Sequence, residues 1–231
     1  DGNKELDRYE TPFGFRYFEF TNSDGFFLNS ERTQLNGVCL HHDLGPLGAA
    51  VNLSSLRHRM KLLQEMGCNS IRTSHNPPTP EMLDLADEMG FIVIDESFDE
   101  WKIPKRENGY NKLWDEWAEK DMVAFIHRDR NHPSVFMWSI GNEIREQGAE
   151  GGAKYCRFLV EICKREDPTR PTTAGFNNWK GAIKNGFADI VDVPGWNYKP
   201  QHYNFIHNKF PHWKMYGSET ASTVSSRGEY F

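Results

Sequence analysis

Apolar segments alternate with amphipathic segments from residue 34 onward, and this alternation constrains the fold more than any other feature of the chain. The segment FIVIDE at 91–96 is apolar on both faces, which is typical of a parallel strand buried on each side. The segment at 54–66 instead places Leu56, Met60 and Leu63 at helical spacing, and Gly67 follows as a stop signal. Alternation of these two kinds of segment predicts an α/β fold with a parallel sheet.

The number of repeats indicates which α/β fold this is. Seven strand-and-helix units favour a (β/α)8 TIM barrel over a doubly wound open sheet. The predicted strands are residues 33–40, 69–75, 91–96, 134–140, 171–175, 189–196 and 213–219. The clearest helices are predicted at 54–66, 80–89, 112–130 and 151–166. Because the count is one short of eight and the chain ends at Phe231, we assign residues 33–231 to a barrel that lacks its last strand.

The first 32 residues have a different character from the rest of the chain. The segments GFRYFEF (14–20) and GFFLNS (25–30) flank an Asp-Gly pair, which is typical of a β-hairpin turn. We interpret residues 1–32 as a linker or interface segment, or as the last strands of a preceding β domain.

Charge and hydropathy argue against two classes of partner. A net charge of −6 and a pI near 5.9 argue against a surface that binds nucleic acid phosphates. No apolar run in the sequence approaches the roughly 20 residues of a membrane-spanning helix. The four cysteines form no CxxC pair, and the acidic run DESFDE (95–100) is interpreted as a solvated loop because it supplies no full oxygen cage for a cation. We therefore predict no metal, no cofactor, no nucleic acid partner and no membrane partner.

Polar and aromatic residues gather at the carboxyl-terminal ends of the predicted strands. Any one of them, taken singly, is also explained as a strand end that meets solvent. In a barrel, however, all strand ends share one mouth, where the active sites of this fold lie, and a polar mouth fits a ligand rich in hydroxyl groups. The candidate site residues at these strand ends are His41, Asp43, Arg72, His75, Asn142, Glu143, Trp196, Asn197, Tyr198 and Glu219.

Two carboxylates at the mouth, Glu143 and Glu219, each follow a hydrophobic strand. Two carboxyl groups that flank a scissile bond are what glycoside hydrolysis requires, with one protonated and the other ionised. Arg72 is expected to lie near Glu219 and hold it ionised, while a more apolar site would keep Glu143 protonated.

Two tryptophans at strand ends have two interpretations. Trp101 and Trp196 are considered equally as sugar-stacking platforms and as core residues.

Four long motifs carry a resemblance to a known family. LNGVCLHHDLGPLGAAV, GCNSIRTSHNPPTPEMLDLADEMGFIVIDESFDEW, HRDRNHPSVFMWSIGNE and YGSETAS together resemble glycoside hydrolase family 2, which contains β-galactosidases, β-glucuronidases and β-mannosidases. The resemblance covers roughly residues 12–225. It implies that residues 1–32 are the end of an immunoglobulin-like β-sandwich domain, and that a glycosyl-enzyme intermediate forms and anomeric configuration is retained.

The resemblance also implies roles for individual residues. Glu143 matches the acid/base of the family, and Glu219 matches the nucleophile. Asn142 matches a residue that holds the sugar 2-hydroxyl, and Tyr198 matches a tyrosine that steadies the nucleophile. Arg72 and His75 match the arginine and histidine of the family's IRxSH motif, and His41 matches a substrate-side residue. All three are assigned to substrate binding, together with Asp43, Trp196 and Asn197, which are included because they lie at strand ends.

The resemblance favours a small β-glycoside as substrate and a β-galactosidase as the function, since HHDLGPLGAA and SHNPPTPEMLDLADEMG look most like that branch. The alternatives are a β-glucuronidase or β-mannosidase of the same family, or a carbohydrate-binding relative without turnover. In the family, the eighth strand supplies an aromatic wall to the sugar site, so its absence is expected to impair this chain alone. A homo-oligomer of the full-length protein and a bacterial periplasmic or cytoplasmic location are further expectations.

Overall fold

The computed structural model describes residues 4–222, and its main element is a seven-stranded parallel sheet. The seven strands are β4 (Gly37–His41), β5 (Ser70–Ser74), β6 (Ile92–Glu96), β7 (Val135–Asn142), β8 (Thr172–Phe176), β9 (Gly195–Asn197) and β10 (Tyr216–Glu219). Their order in the sheet is their order in the chain. The two edges of the sheet lie close together: Cys39 Sγ on β4 is 3.4 Å from the carbonyl oxygen of Ser218 on β10. The sheet is therefore a nearly closed barrel, as the sequence predicts.

Helices lie between the strands and cover the outside of the barrel. They are α1 (Leu53–Glu65), α2 (Pro80–Met89), α3 (Trp114–Asp129), α4 (Ala153–Glu166), α5 (Trp179–Lys184), α6 (Phe187–Ile190) and α7 (Tyr203–Lys209). The four helices predicted from the sequence are confirmed to within about two residues at each end. None of the helices in the described part of the chain is both long and apolar enough to span a bilayer.

Local sequence explains where these helices begin and end. Pro80 opens α2, where its missing N–H costs nothing, and Gly90 closes the helix with a left-handed φ of 78°. The Asn52 side chain accepts a hydrogen bond from the backbone N–H of Ser55 at 2.9 Å and caps α1. Such signals are local, which is why the sequence predicted these boundaries well.

One strand prediction is largely wrong. Residues 189–196 were expected to form a strand, but residues 187–190 form the short helix α6 and β9 begins only at Gly195. The expected strand contains Pro194 just before β9. The helix α6 packs against the rest of the barrel, where its residues Phe187 and Ala188 are fully buried. Tertiary burial has thus overridden the apolar strand pattern of this segment.

The hairpin at the start of the chain closes one end of the barrel. β1 (Phe18–Thr21) and β2 (Gly25–Leu28) pair antiparallel, as predicted, and β3 (Glu31–Arg32) extends them to a three-stranded sheet. Phe20 and Phe26 pack on Phe136 of β7, with ring centroids 6.1 and 5.2 Å apart. The apolar core of this end also includes Ile92 and Ile94, so the hairpin shares a core with the barrel. Assignment of residues 1–32 to a preceding domain stays a prediction.

A larger apolar core fills the space between the strands and the surrounding helices. Both faces of the sheet are therefore buried, as the runs of apolar residues predicted. The expected absence of an eighth strand concerns residues after β10, and residues 223–231 lie outside the described residues. The end of the barrel opposite the hairpin carries the carboxyl-terminal ends of the strands, and the polar residues lie there.

Candidate active site

Glu219 ends β10, and three side chains surround its carboxylate. Oε1 accepts a hydrogen bond from Arg72 Nη1 at 2.7 Å, Oε2 accepts one from the Tyr198 hydroxyl, and His75 Nε2 lies 3.5 Å from Oε1. Burial alone raises the pKa of Glu219, but the hydrogen bonds from Tyr198 and Arg72 and the charge of Arg72 lower it below the ordinary value. The expected contact between Arg72 and Glu219 is confirmed, and the carboxylate is ionised at neutral pH.

Arg72 is buried at the centre of the barrel mouth and contacts two carboxylates. Its Nε and Nη2 donate to Glu96 Oε2 at 2.8 and 2.5 Å, while Nη1 donates to Glu219. Nη2 also donates to Asn142 Oδ1 at 3.0 Å. A buried guanidinium is costly unless it is paired and hydrogen-bonded, and Arg72 meets both conditions.

Glu143 follows β7 directly and has an unusual backbone conformation. The register of β7 against β8 shifts between Ser139 and Asn142, and such an irregularity changes the direction of the side chains beyond it. Glu143 has a φ of 43°, in the left-handed region that non-glycine residues rarely adopt, and its N–H donates to the Gly175 carbonyl at 2.8 Å. Its Oε1 accepts a hydrogen bond from Asn197 Nδ2 at 3.1 Å.

Two asparagines connect Glu143 with Arg72 and hence with Glu219. Asn197 Nδ2 donates to Glu143 Oε1 and also to Asn142 Oδ1, both at 3.1 Å. Asn142 Oδ1 accepts in addition from Arg72, so a continuous set of hydrogen bonds joins the two glutamates. Asn142 Nδ2 donates one hydrogen to Asp99 Oδ1 at 3.0 Å and keeps its second hydrogen for another acceptor.

The two glutamates line different clefts. The Glu219 cleft is a space of about 570 Å³ that also contains His41, Arg72, His75 and Tyr198 in its wall. His41 and His75 meet there edge to face, with ring centroids 5.2 Å apart. The structure therefore brings these four predicted residues together around the carboxylate of Glu219.

The Glu143 cleft is a second space of about 600 Å³, bounded by the loops that follow β6, β7 and β8. Its wall includes Asn142 and the charged side chains of Asp99, Lys105, Arg106 and Arg145. The expectation of apolar surroundings for Glu143 is therefore wrong: charged and amide groups surround it.

Four predicted residues line neither cleft. Trp196 is fully buried between the sheet and the helices, where it packs on Phe176 and Trp213 and its Nε1 lies 3.4 Å from Met215 Sδ. A sugar cannot reach it, so its assignment to substrate binding is wrong. Its neighbour Asn197 points the opposite way, toward the mouth, because successive side chains of a strand alternate between its faces. Asn197 is also fully buried, and it contacts Asn142 and Glu143 rather than open space, so its assignment to substrate binding stays a prediction.

Trp101 and Asp43 are the other two residues that lie away from the clefts. Trp101 is fully buried and donates from Nε1 to the Ile140 carbonyl at 2.8 Å, so the sugar-stacking alternative is excluded for it. Asp43 lies in the loop after β4, where its Oδ1 accepts from the Gly45 N–H at 2.7 Å. It lines a small pocket beside His42 rather than the Glu219 cleft.

The acidic run DESFDE is not the solvated loop that we expected. Asp95 and Glu96 are fully buried, and Glu100 is nearly so, while only Asp99 is exposed. Glu100 caps backbone N–H groups of the following loop, including that of Asn111 at 2.9 Å. The sequence shows four carboxylates in this run, but it does not show which of them the fold buries.

Glu96 is the most important residue that the sequence reasoning left out of the site. Besides its two bonds from Arg72, its Oε1 lies 2.6 Å from His75 Nδ1, and its Oε2 accepts from Ser139 Oγ at 2.5 Å. It thereby orients two residues that contact Glu219. Its position at the end of β6 was the available signal, because the ends of five other strands of the mouth carry candidate residues.

The described residues offer no obvious metal site. Between residues 4 and 222, no three His, Cys, Asp or Glu side chains are grouped so that they could hold a metal ion. The side chains described at the mouth are carboxylates, amides, imidazoles and a guanidinium. Paired glutamates with an arginine and amides, at the carboxyl-terminal mouth of a parallel barrel, define a protein of the (β/α)-barrel class with a polar small-molecule site.

Comparison with known proteins gives the family. The sequence model of "Glycosyl hydrolases family 2, TIM barrel domain" matches residues 19–221, so the chain belongs to this family. The recognition made from the motifs is confirmed. The fold agrees as well, since a β-glycosidase structure from Bacteroides vulgatus superposes with a TM-score of 0.86 at 40% identity, over 100% of this chain and 29% of that one.

Similar curated proteins have more than one activity in their names. The β-galactosidase BoGH2A of Bacteroides ovatus is 42% identical, over 97% of this chain and 30% of that protein. A putative β-glucuronidase of Formosa agariphila is 37% identical, over 100% of this chain and 21% of that protein. The chain thus spans less than a third of the length of either relative, and their names alone do not separate galactosides from glucuronides.

Proposed function

We propose that the protein hydrolyses terminal β-galactosides with retention of configuration, with Glu219 as nucleophile and Glu143 as acid/base. The observation that carries this proposal is that the two carboxylates differ in their contacts with Arg72 and Tyr198. Arg72 and Tyr198 hold Glu219 ionised, as a nucleophile requires. Glu143 stands apart from any cation of that cleft and is joined to it only through amides.

The first half of the reaction transfers the glycosyl group to the enzyme. A Glu219 oxygen attacks the anomeric carbon and forms the glycosyl ester as the bond to the leaving oxygen breaks. Glu143 gives its proton to that oxygen, so the aglycone departs as a neutral alcohol. The free hydrogen on Asn142 Nδ2 is available to the sugar 2-hydroxyl. His41 and His75 line the cleft where the glycosyl group would lie.

The second half of the reaction returns both glutamates to their starting states. Glu143, now ionised, removes a proton from a water molecule that attacks the anomeric carbon from the side the aglycone left. The ester bond to Glu219 breaks and its carboxylate is restored. Two successive inversions give net retention of configuration. The hydrogen bonds from Arg72 and Tyr198 favour the release, because they stabilise Glu219 as an anion.

The charge of the Glu219 cleft supports a neutral glycosyl group rather than a glucuronosyl group. Among its described lining residues, Arg72 is the only lysine or arginine. That guanidinium is committed to Glu96 and Glu219. A glucuronide would bring a further carboxylate, whose burial is unfavourable without an unpaired cation. We therefore favour the galactoside, and the β-glucuronide remains the second candidate because a similar protein is named for that activity.

A panel of 4-nitrophenyl glycosides, assayed on the full-length protein, tests the substrate. We expect the β-galactoside to have the highest kcat/KM, at least tenfold above the β-glucuronide and the β-mannoside. A higher kcat/KM for the β-glucuronide would show that the protein is a β-glucuronidase rather than a β-galactosidase. Turnover of none of them, together with calorimetric binding of a sugar, would support a non-catalytic binding protein instead.

Nucleophile rescue tests the two roles separately. In Glu219→Ala, azide is expected to restore turnover and give the α-glycosyl azide, because it attacks from the vacated nucleophile side. In Glu143→Ala, azide is expected to give the β-glycosyl azide from the glycosyl-enzyme. Glu161→Gln, on the exposed face of α4, is the matched control and should behave as the wild type. The same anomer from both variants would contradict the assigned roles.

A further inference from the structure

The Glu143 cleft has an electrostatic character that the proposed reaction does not use. Lys105, Arg106 and Arg145 line it, against Asp99 and Glu143. Lys105 Nζ lies 2.8 Å from Asp99 Oδ1 and also donates to the Asn142 carbonyl at 2.7 Å. The charges of Lys105 and Asp99 therefore cancel. The remaining charge in the cleft is therefore set by the two arginines and Glu143.

Arg106 and Arg145 are both exposed, and neither makes an ion pair within residues 4–222. Two guanidinium groups in one cleft contrast with a chain whose net charge is −6. When Glu143 carries the proton that it gives to the leaving oxygen, no unpaired anion among the described residues of the cleft balances them. A cleft of one sign of charge concentrates ligands of the opposite sign.

The amides of the cleft are held in place by one another. Gln147 Nε2 donates to Asn177 Oδ1 at 2.8 Å, and its Oε1 accepts from the Asn178 N–H at 3.0 Å. These bonds tie the loop after β8 to the loop after β7 that carries Arg145. The Asn177 side-chain nitrogen then keeps both hydrogens for a hydroxyl or carboxylate acceptor.

The position of the cleft relative to the reacting bond follows from the two glutamates. Glu143 lines this cleft and Glu219 does not, whereas the reverse holds for the Glu219 cleft. In a retaining reaction the acid/base lies on the side from which the aglycone leaves, opposite the nucleophile. The Glu143 cleft is therefore the leaving-group side, given the proposed function on which this placement rests.

We infer that the Glu143 cleft is a leaving-group subsite that selects an acidic sugar residue, with Arg106 and Arg145 binding its anionic group. The planar guanidinium donates two parallel hydrogen bonds to a carboxylate or to a sulfate ester, so both anions share the required chemistry. The neutral glycosyl group then lies beside Glu219, and the acidic residue to which it is linked lies beside Glu143.

Three disaccharides with one glycosyl group test this subsite on the full-length protein. They are β-galactosyl-glucose, β-galactosyl-glucuronic acid and β-galactosyl-glucose carrying a 6-sulfate on the glucose. We expect the wild type to favour at least one acidic disaccharide over the neutral one by about tenfold or more in kcat/KM. The preferred member of the acidic pair identifies carboxylate or sulfate. The preference is expected to fall as NaCl rises from 50 to 500 mM.

Substitution separates the arginines from the reaction itself. Arg106→Gln/Arg145→Gln is expected to bring the acidic-to-neutral ratio close to one, while turnover of 4-nitrophenyl β-galactoside changes less than about threefold. Arg157→Gln, which removes an exposed guanidinium from α4 outside the cleft, is the matched control and should keep the ratio. A wild-type ratio near one, or a ratio that survives the double substitution, overturns the inference.

Two outcomes distinguish this inference from the proposed function. If the double substitution abolishes turnover of 4-nitrophenyl β-glucuronide and spares that of the galactoside, the arginines bind the glycosyl group and the subsite assignment is wrong. If no glycoside is hydrolysed, the proposed function fails. Calorimetry that compares the binding of glucuronic acid with that of glucose then still tests whether the Glu143 cleft selects an acidic sugar. Arginine-dependent binding of the acid, at least tenfold tighter, supports the site, and equal binding overturns it.

Discussion

Arg72 and Glu219 are 147 positions apart in the sequence, yet Arg72 Nη1 donates to Glu219 Oε1 across 2.7 Å. The contact joins the second strand of the barrel to the last described one, β5 to β10. It keeps Glu219 ionised and aimed into the cleft, and it depends on Glu96 to hold the guanidinium from its other edge.

Tyr198→Phe is expected to move the acid limb of the pH–rate profile to higher pH. The tyrosine hydroxyl donates to Glu219 Oε2, and its loss removes one of the contacts that lower the pKa of Glu219. Since a hydrogen bond to a charged group contributes about 1.5–3 kcal/mol and Tyr198 is partly exposed, we expect a shift of about one pH unit. The measurement is kcat/KM of a nitrophenyl galactoside between pH 4 and 8. An unmoved acid limb would show that Tyr198 does not act on Glu219.

Glu96→Gln is expected to impair both folding stability and activity. Glu96 is fully buried and accepts two hydrogen bonds from Arg72, so the substitution leaves a buried guanidinium with one anion fewer. Breaking a buried ion pair costs about 3–5 kcal/mol, and we expect kcat/KM to fall at least about a hundredfold as Arg72 loses its position. Tm and kcat/KM are measured together.

The control for Glu96→Gln is Glu100→Gln, which removes a carboxylate of similar burial. Glu100 accepts backbone N–H bonds from the loop at 105–111 and does not contact Arg72. The Glu100→Gln substitution should lower Tm, while kcat/KM for the nitrophenyl galactoside stays within about tenfold of the wild type. Equal activity losses in both variants would mean that the effect of Glu96 is general destabilisation.

Gly175→Ala is expected to reduce activity although it adds only one methyl group. A Cβ there would lie 2.9 Å from Arg72 Nη2 and from Asn197 Oδ1, and 3.2 Å from Asn142 Oδ1. Arg72 Nη2 and Asn142 Oδ1 form one of the hydrogen bonds that join the two glutamates, and Asn197 Oδ1 accepts from Ser218 Oγ, so these atoms must shift to make room. A displacement of about 1 Å in such a site costs about a hundredfold in kcat/KM. Wild-type kcat/KM in this variant would contradict the role of the network.

His132→Gln is expected to destabilise the protein more at pH 5.5 than at pH 9. His132 Nδ1 lies 2.7 Å from Asp87 Oδ2. Burial lowers the pKa of His132. The hydrogen bond and the charge of Asp87 raise it by more than burial lowers it, so the pKa lies above its usual value. Burial raises the pKa of Asp87, and its bonds from His132 and Ser134 lower it below the usual value.

The sign of the pH dependence follows from these directions. The His132 contribution is complete below about pH 6.5 and is lost as pH rises through its raised pKa. The Asp87 contribution is complete above about pH 3.9 and is lost as pH falls through its lowered pKa. For a half-buried pair we expect about 1 kcal/mol at pH 5.5, measured by urea unfolding, with the exposed His212→Gln as control. An equal loss at both pH values would exclude the ionic contribution.

Much of the fold was predictable because its signals are local. Gly90 and Pro80 mark the ends of α2 in the sequence itself, and the apolar runs mark the buried strands. The segment at 189–196 was not predictable, because burial of Phe187 by distant residues, and not its own pattern, makes the adjoining turn helical. For the site, Glu143, Glu219 and Arg72 were predicted from their positions at strand ends, and the structure brings them into one set of hydrogen bonds. Glu96 was missed because its partners are contributed by other strands.

By itself the sequence determined the order of the seven barrel strands, four of the helices, the family, and the set of polar residues at the strand ends. It did not determine which of two neighbouring residues faces the mouth. Asn197 enters the network of the two glutamates while Trp196 is buried behind the sheet, and Glu96 faces the mouth while Asp95 does not. A parallel strand covered on both sides has no polar face in its sequence, so the direction of each side chain is decided only when the barrel closes.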